Sequence, residues 1–282
     1  MKNVKTVLSL ATKLLEERGV ARARFCSEVL LAHVLKMERI ELYMHHDQPL
    51  DENELSLFRE SIKEKAKKQP LEYLLKEIEF YHCKIDVNSS VLIPRQETEI
   101  LLDLVCKQVK PEAKWALDLC TGSGCLAIGL KKALPRLGVV GVDLCEKALA
   151  VAEKNGKKNG VGVQWLLGDL LEPVMGKKFD LVLCNPPYIS DKEFLELDEE
   201  VRLFEPKRAL VSGKTGLEFY ERLAEGLPQI LSPGAQIFFE IGAGQKEGVL
   251  ALFSKSCFQD SKVEPDWAGH DRFFSSIFLE NE

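Results

Sequence analysis

The spacing of apolar residues predicts that the first part of the chain is helical. Two apolar stripes recur at helical spacing: Val7, Leu10, Ala11 and Leu14, then Phe25, Val29, Ala32 and Leu35. Charged residues interrupt the first stripe, which favours an amphipathic helix over a signal peptide. Asp51 with Glu54 three residues later is typical of a helix start, and Pro70 is expected to end that helix. Residues 1–75 are therefore expected to form a small helical bundle.

The pattern then becomes strand-like. Residues 78–93 alternate around the turn-forming Asn88-Ser89-Ser90, which predicts a β-hairpin that joins two domains. Short apolar strands then alternate with helices, and strands are expected at 115–119, 138–142, 162–167, 179–184, 235–241, 261–264 and 273–279. This alternation is typical of a doubly wound α/β sheet. The predicted domains are 1–75 (helical), 76–93 (hairpin linker) and 94–282 (α/β).

Composition narrows the classes of partner. The 282 residues carry a formal net charge of −6, which argues against a large phosphate-binding surface. No apolar run approaches the length of a membrane span. Eight cysteines are scattered without a Cys-x-x-Cys pair or a paired-histidine spacing, so no metal site is expected. Free thiols are typical of a reducing compartment, and the expected location is the cytoplasm.

The segment WALDLCTGSGCLAIGLKKAL has the pattern of a strand, a glycine-rich turn and a helix. Gly122 and Gly124 let the backbone approach a ligand closely, and the helix start offers free N–H groups. Asp143 ends the next strand, where its carboxylate can accept hydrogen bonds from both ribose hydroxyls of a nucleoside. The pattern Gly122-x-Gly124-x-x-Ala127 also satisfies the dinucleotide fingerprint, so a nicotinamide or flavin enzyme is an alternative.

Two features favour S-adenosylmethionine over a dinucleotide as the ligand of this turn. Asp118 precedes the turn, where an acid can face the cationic amino group of methionine but would repel a pyrophosphate. Asp169 and Leu170 follow a third strand, where the edge and the face of an adenine are expected. All these strand ends converge on the carboxyl edge of the sheet.

The strand at 179–184 stops abruptly on Asn185-Pro186-Pro187-Tyr188. Methyl transfer to a planar nitrogen needs a lone pair aimed at the methyl carbon, and two acceptors on the two N–H bonds favour that geometry. The Asn185 side-chain oxygen and the Pro186 carbonyl are the expected acceptors, and the Tyr188 ring supplies a flat wall. No strong base is required, because a methylated, cationic nitrogen loses its proton easily.

This tetrapeptide together with LDLCTGSGCLAI resembles the amino-methyltransferases that act on DNA adenine, rRNA guanine or protein glutamine. Other segments narrow the resemblance: SEVLLAHVL, LIPRQETEIL (92–101), VRLFEPKRALVSGKTGLEFY (201–220), FFEIGAGQ (238–245) and DWAGHDRF (266–273). Over nearly its whole length the chain resembles the bacterial peptide chain release factor N5-glutamine methyltransferase family. Ribosomal-protein glutamine methyltransferases share the tetrapeptide, but they differ where this chain has Gln96-Glu97-Thr98-Glu99.

The resemblance implies a class I methyltransferase with a Rossmann-like, seven-stranded domain, a linking β-hairpin and an N-terminal helical bundle that docks the substrate. The implied reaction transfers a methyl group from S-adenosylmethionine to the side-chain amide nitrogen of the glutamine in the Gly-Gly-Gln loop of release factors. S-adenosylhomocysteine is then the product. The release factor is the expected partner of a monomeric enzyme, with no membrane and no direct nucleic-acid contact.

The motifs and the family resemblance together imply two sets of site residues. The substrate glutamine is held by Asn185, Pro186, Pro187 and Tyr188, of which Asn185, Pro186 and Tyr188 are catalytic. The cofactor is bound by Cys120, Thr121, Gly122, Ser123, Gly124, Asp143, Asp169, Leu170 and Asn185. Cys120 stands where the family has a glycine, which requires a negative φ or mild strain there. Leu170 stands where an aromatic residue often covers the adenine, so weaker stacking is expected.

Two alternatives of other kinds stay open. A nucleic-acid amino-methyltransferase would need a base-flipping surface, and the chain has neither a long target-recognition insertion nor a basic total charge. A non-catalytic nucleotide-binding scaffold would be favoured by the loss of Asn185, which is present.

Overall fold

The computed structural model describes residues 2–254 and 257–280. They belong to two compact units: a helical unit, Met1–Glu77 with Asp198–Phe204, and a sheet unit, Ile78–Leu197 with Glu205–Glu282. Helices α1 to α12 span Val4–Glu17, Ala23–Leu35, Glu41–Met44, Glu52–Lys65, Leu71–Leu75, Gln96–Gln108, Cys125–Ala133, Glu146–Lys158, Asp191–Phe194, Glu199–Phe204, Glu218–Gly226 and Lys246–Leu252. Strands β1 to β11 span Glu77–Phe80, Cys83–Asp86, Trp115–Leu119, Gly138–Asp143, Gln164–Leu167, Phe179–Cys184, Ile189–Ser190, Val211–Gly213, Leu231–Glu240, Phe258–Pro265 and Asp271–Phe278.

Side-chain caps fix where α4 begins. Asp51 Oδ1 accepts a hydrogen bond from the Glu54 amide at 2.8 Å, and Glu54 Oε2 accepts one from the Asp51 amide at 2.8 Å. The predicted capping box is therefore confirmed. The predicted end of this helix is wrong, because α4 ends at Lys65 and Lys68 then adopts a positive φ of 67°. The chain has thus already left the helical conformation before it reaches Pro70.

The buried faces of the first two helices differ from the predicted stripes. The buried residues of α1 are Val4, Val7, Ala11 and Leu15. Leu10 and Leu14 lie at the open edge of this face and are 56% and 39% exposed. In α2 the predicted Phe25, Val29 and Leu35 are only half-buried, whereas Cys26, Leu30 and Leu31 are fully buried. Because α2 is mostly apolar and contacts α1, α4 and α5, its hydrophobic spacing does not single out one face.

Helix α10 belongs to the helical unit, although the predicted boundaries assign it to residues 94–282. Buried Lys65 donates a hydrogen bond from Nζ to Glu200 at 2.9 Å and another to the Gln69 carbonyl at 3.0 Å. Lys68 forms an ion pair with Glu199. A buried ammonium group is costly unless it is paired, so these acidic residues satisfy the lysines of the helical unit. No periodicity of the sequence could have shown this pairing.

The hairpin turns at a different place from the one predicted. Strands β1 and β2 form a two-stranded sheet and are joined by Tyr81 and His82, whose φ angles of 45° and 61° are both positive. Such a two-residue turn matches the twist of paired strands. The Asn88-Ser89-Ser90 segment forms a separate turn, in which the Ser90 amide donates to Asn88 Oδ1 at 2.8 Å. Asn and Ser favour such local side-chain turns as well as hairpin turns, so the sequence pattern alone could not distinguish the two.

The hairpin packs within the sheet unit through Asn155 of α8. Fully buried Asn155 accepts a hydrogen bond from the Asp86 amide at 2.8 Å. Its Nδ2 donates to the Asp86 carbonyl at 3.0 Å and to the Ser123 carbonyl at 2.9 Å. One side-chain amide therefore connects β2 with the glycine-rich loop, so the segment does more than link two domains.

The large sheet confirms the predicted doubly wound α/β architecture. It has seven strands in the order β10-β11-β9-β6-β3-β4-β5. Strands β9, β6, β3, β4 and β5 are parallel to one another, whereas β11 runs antiparallel to both β9 and β10. The carboxyl ends of the parallel strands consequently meet at one edge. Among the described residues, no helix is both long and apolar enough to span a membrane.

Strand β3 enters the glycine-rich loop through a strained residue. Cys120 has a φ of +56°, in the left-handed region that glycine adopts without a steric penalty. The sequence left open either a negative φ or mild strain at Cys120, and the structure has the strained, positive φ. Gly122 and Gly124 follow with φ angles of +55° and +80°, so three residues of this short loop have left-handed backbone.

The strain at Cys120 predicts a difference between two substitutions. Cys120→Gly and Cys120→Ala both remove the thiol, but only glycine relieves the positive φ. We therefore expect the glycine variant to be more stable than the alanine variant by about 1 kcal/mol. Denaturant unfolding of the two variants and the wild type measures this difference. Equal stabilities of the two variants would show that the loop relaxes around a non-glycine residue.

Candidate active site

A cavity lies at the carboxyl edge of the large sheet. Its walls come from the loop after β3, the ends of β4 and β5, the segment after β6, and two segments between residues 90 and 92 and between 208 and 222. The lining residues are Ser90, Val91, Leu92, Cys120, Gly122, Val142, Asp143, Leu144, Cys145, Ala148, Gly168, Asp169, Leu170, Asn185, Pro187, Arg208, Ala209, Phe219 and Arg222. The predicted glycine loop, acid and tetrapeptide are thus brought together in one place.

Within the glycine loop, Cys120 and Gly122 reach the cavity, whereas Thr121, Ser123 and Gly124 support the loop from behind. The Thr121 hydroxyl donates to Asp118, and the Ser123 carbonyl accepts from Asn155. A Cβ atom on Gly124 would lie 2.8 Å from the Trp165 ring, so close packing requires glycine there. A Cβ atom on Gly122 would meet nothing nearer than 3.9 Å, which leaves open space on the cavity side.

Asp143 is fixed in the cavity by backbone donors. Its Oδ2 accepts from the Gly122 amide and its Oδ1 from the Cys145 amide, both at 2.8 Å. Burial raises the pKa of Asp143, and these two amides together with the nearby Arg208 guanidinium oppose that rise. Each carboxylate oxygen keeps a further lone pair. The carboxylate is therefore an oriented acceptor at the end of β4.

Asp118 lies under the loop and does not line the cavity. It is 1% exposed, and its Oδ2 accepts from the Thr121 hydroxyl and, at 3.1 Å, from the Ala127 amide. Burial raises the pKa of Asp118 to about 7. Asp118 thus holds the glycine loop to the start of α7. Its Oδ1 atom has no hydrogen-bond partner among the described residues, so its role toward a cationic ligand group stays a prediction.

Asp169 and Leu170 both line the cavity, as predicted for an adenine site. Asp169 forms an ion pair with Arg222 at 2.8 Å. Leu170 is buried and has a positive φ of 47°, so a second non-glycine residue of the cavity has left-handed backbone. Arg208 and Arg222, to which no sequence motif gave a role, also line the cavity.

The segment after β6 presents Asn185 and Pro187 to the cavity. Asn185 Nδ2 donates a hydrogen bond to Thr98 Oγ1 at 3.0 Å. Within residues 2–254 and 257–280, the Pro186 carbonyl oxygen accepts no hydrogen bond, so it keeps its capacity as an acceptor. Pro186 and Tyr188 are not among the residues that line this cavity.

Gln245 ties down the backbone at the end of the tetrapeptide. Its Nε2 donates to the Tyr188 carbonyl at 2.8 Å and to the Gly216 carbonyl at 3.1 Å, and its Oε1 accepts from the Gly242 amide at 2.8 Å. A Cβ atom on Gly216 would lie 2.5 Å from the Tyr188 carbonyl oxygen. The segment around residue 216 therefore needs glycine where it approaches the Tyr188 backbone closely.

A buried carboxylate, Glu240, lies beside the tetrapeptide at the end of β9. It is 1% exposed and accepts from Thr98 Oγ1 at 2.7 Å and from the Tyr188 hydroxyl at 3.2 Å. Burial raises the pKa of Glu240, and the Thr98 hydroxyl and the Arg272 guanidinium oppose this effect. Burial also raises the pKa of Tyr188, which therefore stays protonated. Thr98 and Glu240 lie in segments 92–101 and 238–245, which carry the family resemblance. The resemblance did not assign a role to either residue.

Two known protein-family models match different parts of the chain. The PrmC N-terminal domain matches residues 6–75, and the methyltransferase small domain matches residues 80–213. Among solved structures, a methyltransferase from Pyrococcus furiosus has a TM-score of 0.53 and 19% sequence identity, and covers 71% of this chain and 90% of its own. At this identity the likeness supports the fold alone.

Curated relatives are similar over nearly the whole chain. The release factor glutamine methyltransferase of Geobacter sulfurreducens is 39% identical over 269 residues, which covers 95% of this chain and 94% of the relative. The protein of the same name from Bacillus cereus is 38% identical over 283 residues and 98% of each chain. With both units matched and this degree of identity, the chain belongs to the release factor glutamine methyltransferase family.

Proposed function

We propose that this enzyme transfers the methyl group of S-adenosylmethionine to the side-chain amide nitrogen of the glutamine in the Gly-Gly-Gln loop of peptide chain release factors. The observation that carries the proposal is the shared cavity, in which Asn185 and Pro187 lie with Cys120, Gly122 and Asp143. The Asn185 side chain, one of the two proposed amide-binding acceptors, thereby adjoins the proposed nucleoside site. The names of the relatives support release factors as the protein substrate.

The residues of the cavity fit S-adenosylmethionine. When bound, it supplies a methyl carbon that is electrophilic because its sulfur is positively charged. Asp143 holds two oriented acceptor oxygens for the ribose hydroxyls, and Gly122 leaves space for close approach of a ligand. Leu170 offers an apolar surface to the adenine, and Asp169 lies beside it at the rim. Thr121, Ser123 and Gly124 are assigned to shaping the loop.

The substrate glutamine is held by acceptors. Asn185 Oδ1 and the Pro186 carbonyl each accept one N–H of the amide nitrogen, which favours a pyramidal nitrogen and directs its lone pair. Pro187 restricts the direction of the Pro186 carbonyl, and Tyr188 gives a flat wall. Bound S-adenosylmethionine would supply its methyl group to this nitrogen, with the electron pair of the carbon–sulfur bond left on sulfur. The cationic nitrogen then loses its proton to water.

Three further assignments complete the proposal. Release factors act at the ribosome, so the reaction takes place in the cytoplasm. The enzyme acts as a monomer and makes no direct contact with nucleic acid. The helical unit docks the release factor while the sheet unit carries out methyl transfer.

Labelled S-adenosylmethionine tests the proposed reaction. The enzyme is incubated with an intact release factor, with the same factor carrying Gln→Glu in its Gly-Gly-Gln loop, with ribosomal proteins and with nucleic acid. Label should enter only the unaltered release factor. Label in nucleic acid or in ribosomal proteins, but not in the release factor, would assign the enzyme to a rival substrate.

Asp143→Ala should weaken S-adenosylmethionine binding. Loss of charge-assisted hydrogen bonds to the ribose costs about 1.5–3 kcal/mol, which is about 10- to 150-fold in Kd. Calorimetry measures the affinity. Asp180→Ala is the matched control, because Asp180 also accepts two backbone amides, at 2.8 and 2.9 Å, but lies at the opposite end of β3 and β6. Equal affinities of the two variants would remove Asp143 from the site.

Asn185→Ala should lower kcat much more than it raises KM. The lost acceptor is worth most when the nitrogen pyramidalises, and removing one such preorganised contact costs about a hundred- to a thousandfold in kcat. S-adenosylmethionine affinity should change less, because Asp143 and the glycine loop are intact. Steady-state kinetics on an intact release factor measures both constants, and an unchanged melting temperature shows that the variant is folded. Near-normal kcat in the folded variant contradicts the acceptor mechanism.

A further inference from the structure

The Asn185 side chain is held by a chain of two consecutive hydrogen bonds that leads from the cavity to buried Glu240. Asn185 Nδ2 donates to Thr98 Oγ1 at 3.0 Å, and Thr98 Oγ1 donates to Glu240 Oε2 at 2.7 Å. Thr98 is 2% exposed and Glu240 is 1% exposed. Thr98 and Glu240 therefore have little access to bulk water and depend on their protein partners, whereas half-buried Asn185 also faces the cavity.

The fold brings the three residues together from distant parts of the sequence. Strands β6 and β9 are parallel neighbours in which Cys184 pairs with Phe239, so Asn185 and Glu240 are the next residues on each strand path. Thr98 lies in the first turn of α6. Arg272 donates a hydrogen bond to the Ile241 carbonyl at 2.9 Å. Its positive charge attracts the buried Glu240 carboxylate.

The direction of each hydrogen bond in this chain follows from the chemistry of its groups. Each Glu240 oxygen accepts one hydrogen bond, Oε2 from Thr98 and Oε1 from Tyr188, and a threonine hydroxyl has a single proton to donate. Once that proton points at Glu240, the Thr98 oxygen has only lone pairs left for Asn185. The Thr98 oxygen must therefore accept from the Asn185 NH₂ group. If the Asn185 oxygen lay there instead, lone pairs of the two oxygens would repel each other. The Asn185 Oδ1 atom is thus the end of the amide that remains for the cavity.

We infer that Thr98 and Glu240 are positioning residues that select the orientation of the Asn185 amide, so that its oxygen rather than its NH₂ meets the substrate nitrogen. The inference rests on the proposed function, because an acceptor at this point is useful only if the substrate presents N–H groups. Neither residue contacts the reacting atoms. Tyr188 shares the same carboxylate through its hydroxyl at 3.2 Å, so one buried acid orders both ends of the tetrapeptide.

Thr98→Val tests the inference, with Thr98→Ser as the matched control that keeps the hydroxyl. Valine leaves the Asn185 NH₂ without its acceptor, so kcat on an intact release factor should fall about tenfold. The KM for the release factor and the S-adenosylmethionine affinity should change little. Serine should retain most of the wild-type kcat. A normal kcat in the valine variant, or an equal loss in the serine variant, overturns the inference.

A double-mutant cycle distinguishes positioning from a general loss of packing. If Thr98 acts through Asn185 alone, Thr98→Val should have little further effect on kcat in the Asn185→Ala background. Independent, multiplying effects of the two substitutions would show that Thr98 acts by another route.

An NMR readout makes the inference independent of methyl transfer. In protein labelled with ¹⁵N-asparagine, the Asn185 side-chain signals are identified by their loss in Asn185→Ala. Their hydrogen exchange should be slow in the wild type and in Thr98→Ser, and faster in Thr98→Val. Failure of the wild type to methylate release factors would count against the proposed function only, whereas equally slow exchange in all three proteins overturns the inference.

Glu240→Gln provides a second route if the valine variant does not fold. A glutamine NH₂ can donate to Thr98, which frees the threonine proton for Asn185 and removes the fixed direction of the chain. We expect faster Asn185 exchange and a reduced kcat. Wild-type values of both quantities in this variant would contradict the inference.

Discussion

Buried and half-buried carboxylates at the carboxyl edge of the sheet need hydrogen-bond donors, and these donors belong to the segments that build the site. Asp143 holds the glycine loop through the Gly122 amide, and Asp118 holds it from below through Thr121. Glu240 holds Thr98 and Tyr188. Each acid costs free energy to bury and regains it by fixing a loop, so the shape of the cavity depends on these pairings.

A second clamp shapes the outer side of the cavity. Glu205 is 5% exposed and accepts a hydrogen bond from the Ile93 amide at 3.1 Å, and it also pairs with Arg95. The segment that contributes Leu92 to the cavity wall is thereby attached to the start of the segment that contributes Arg208. Parts of the chain more than a hundred residues apart are held as one wall by a single carboxylate.

The sequence predicted the sheet well because its signal is local. The strands from β3 to β6 agree with the predicted ranges to within two residues, since buried parallel strands are short apolar runs between turns. The turn at Tyr81 and His82 escaped prediction because neither residue usually adopts a positive φ. The Asn185, Asp143 and Gly122 positions followed from strand ends. Thr98, Glu240 and Gln245 did not, because their partners are distant in sequence and only the folded chain reveals them.

Helix α10 has a consequence for how the two units can be separated. The chain leaves the sheet unit at Asp198, contributes α10 to the helical unit and returns at Glu205. A gene shortened to begin at residue 78 would still encode α10, whose Glu199 and Glu200 would have lost Lys68 and Lys65. Inactivity of such a fragment would therefore not prove that the helical unit recognises the substrate. For the same reason, recombination between relatives has to exchange both pieces of the helical unit together.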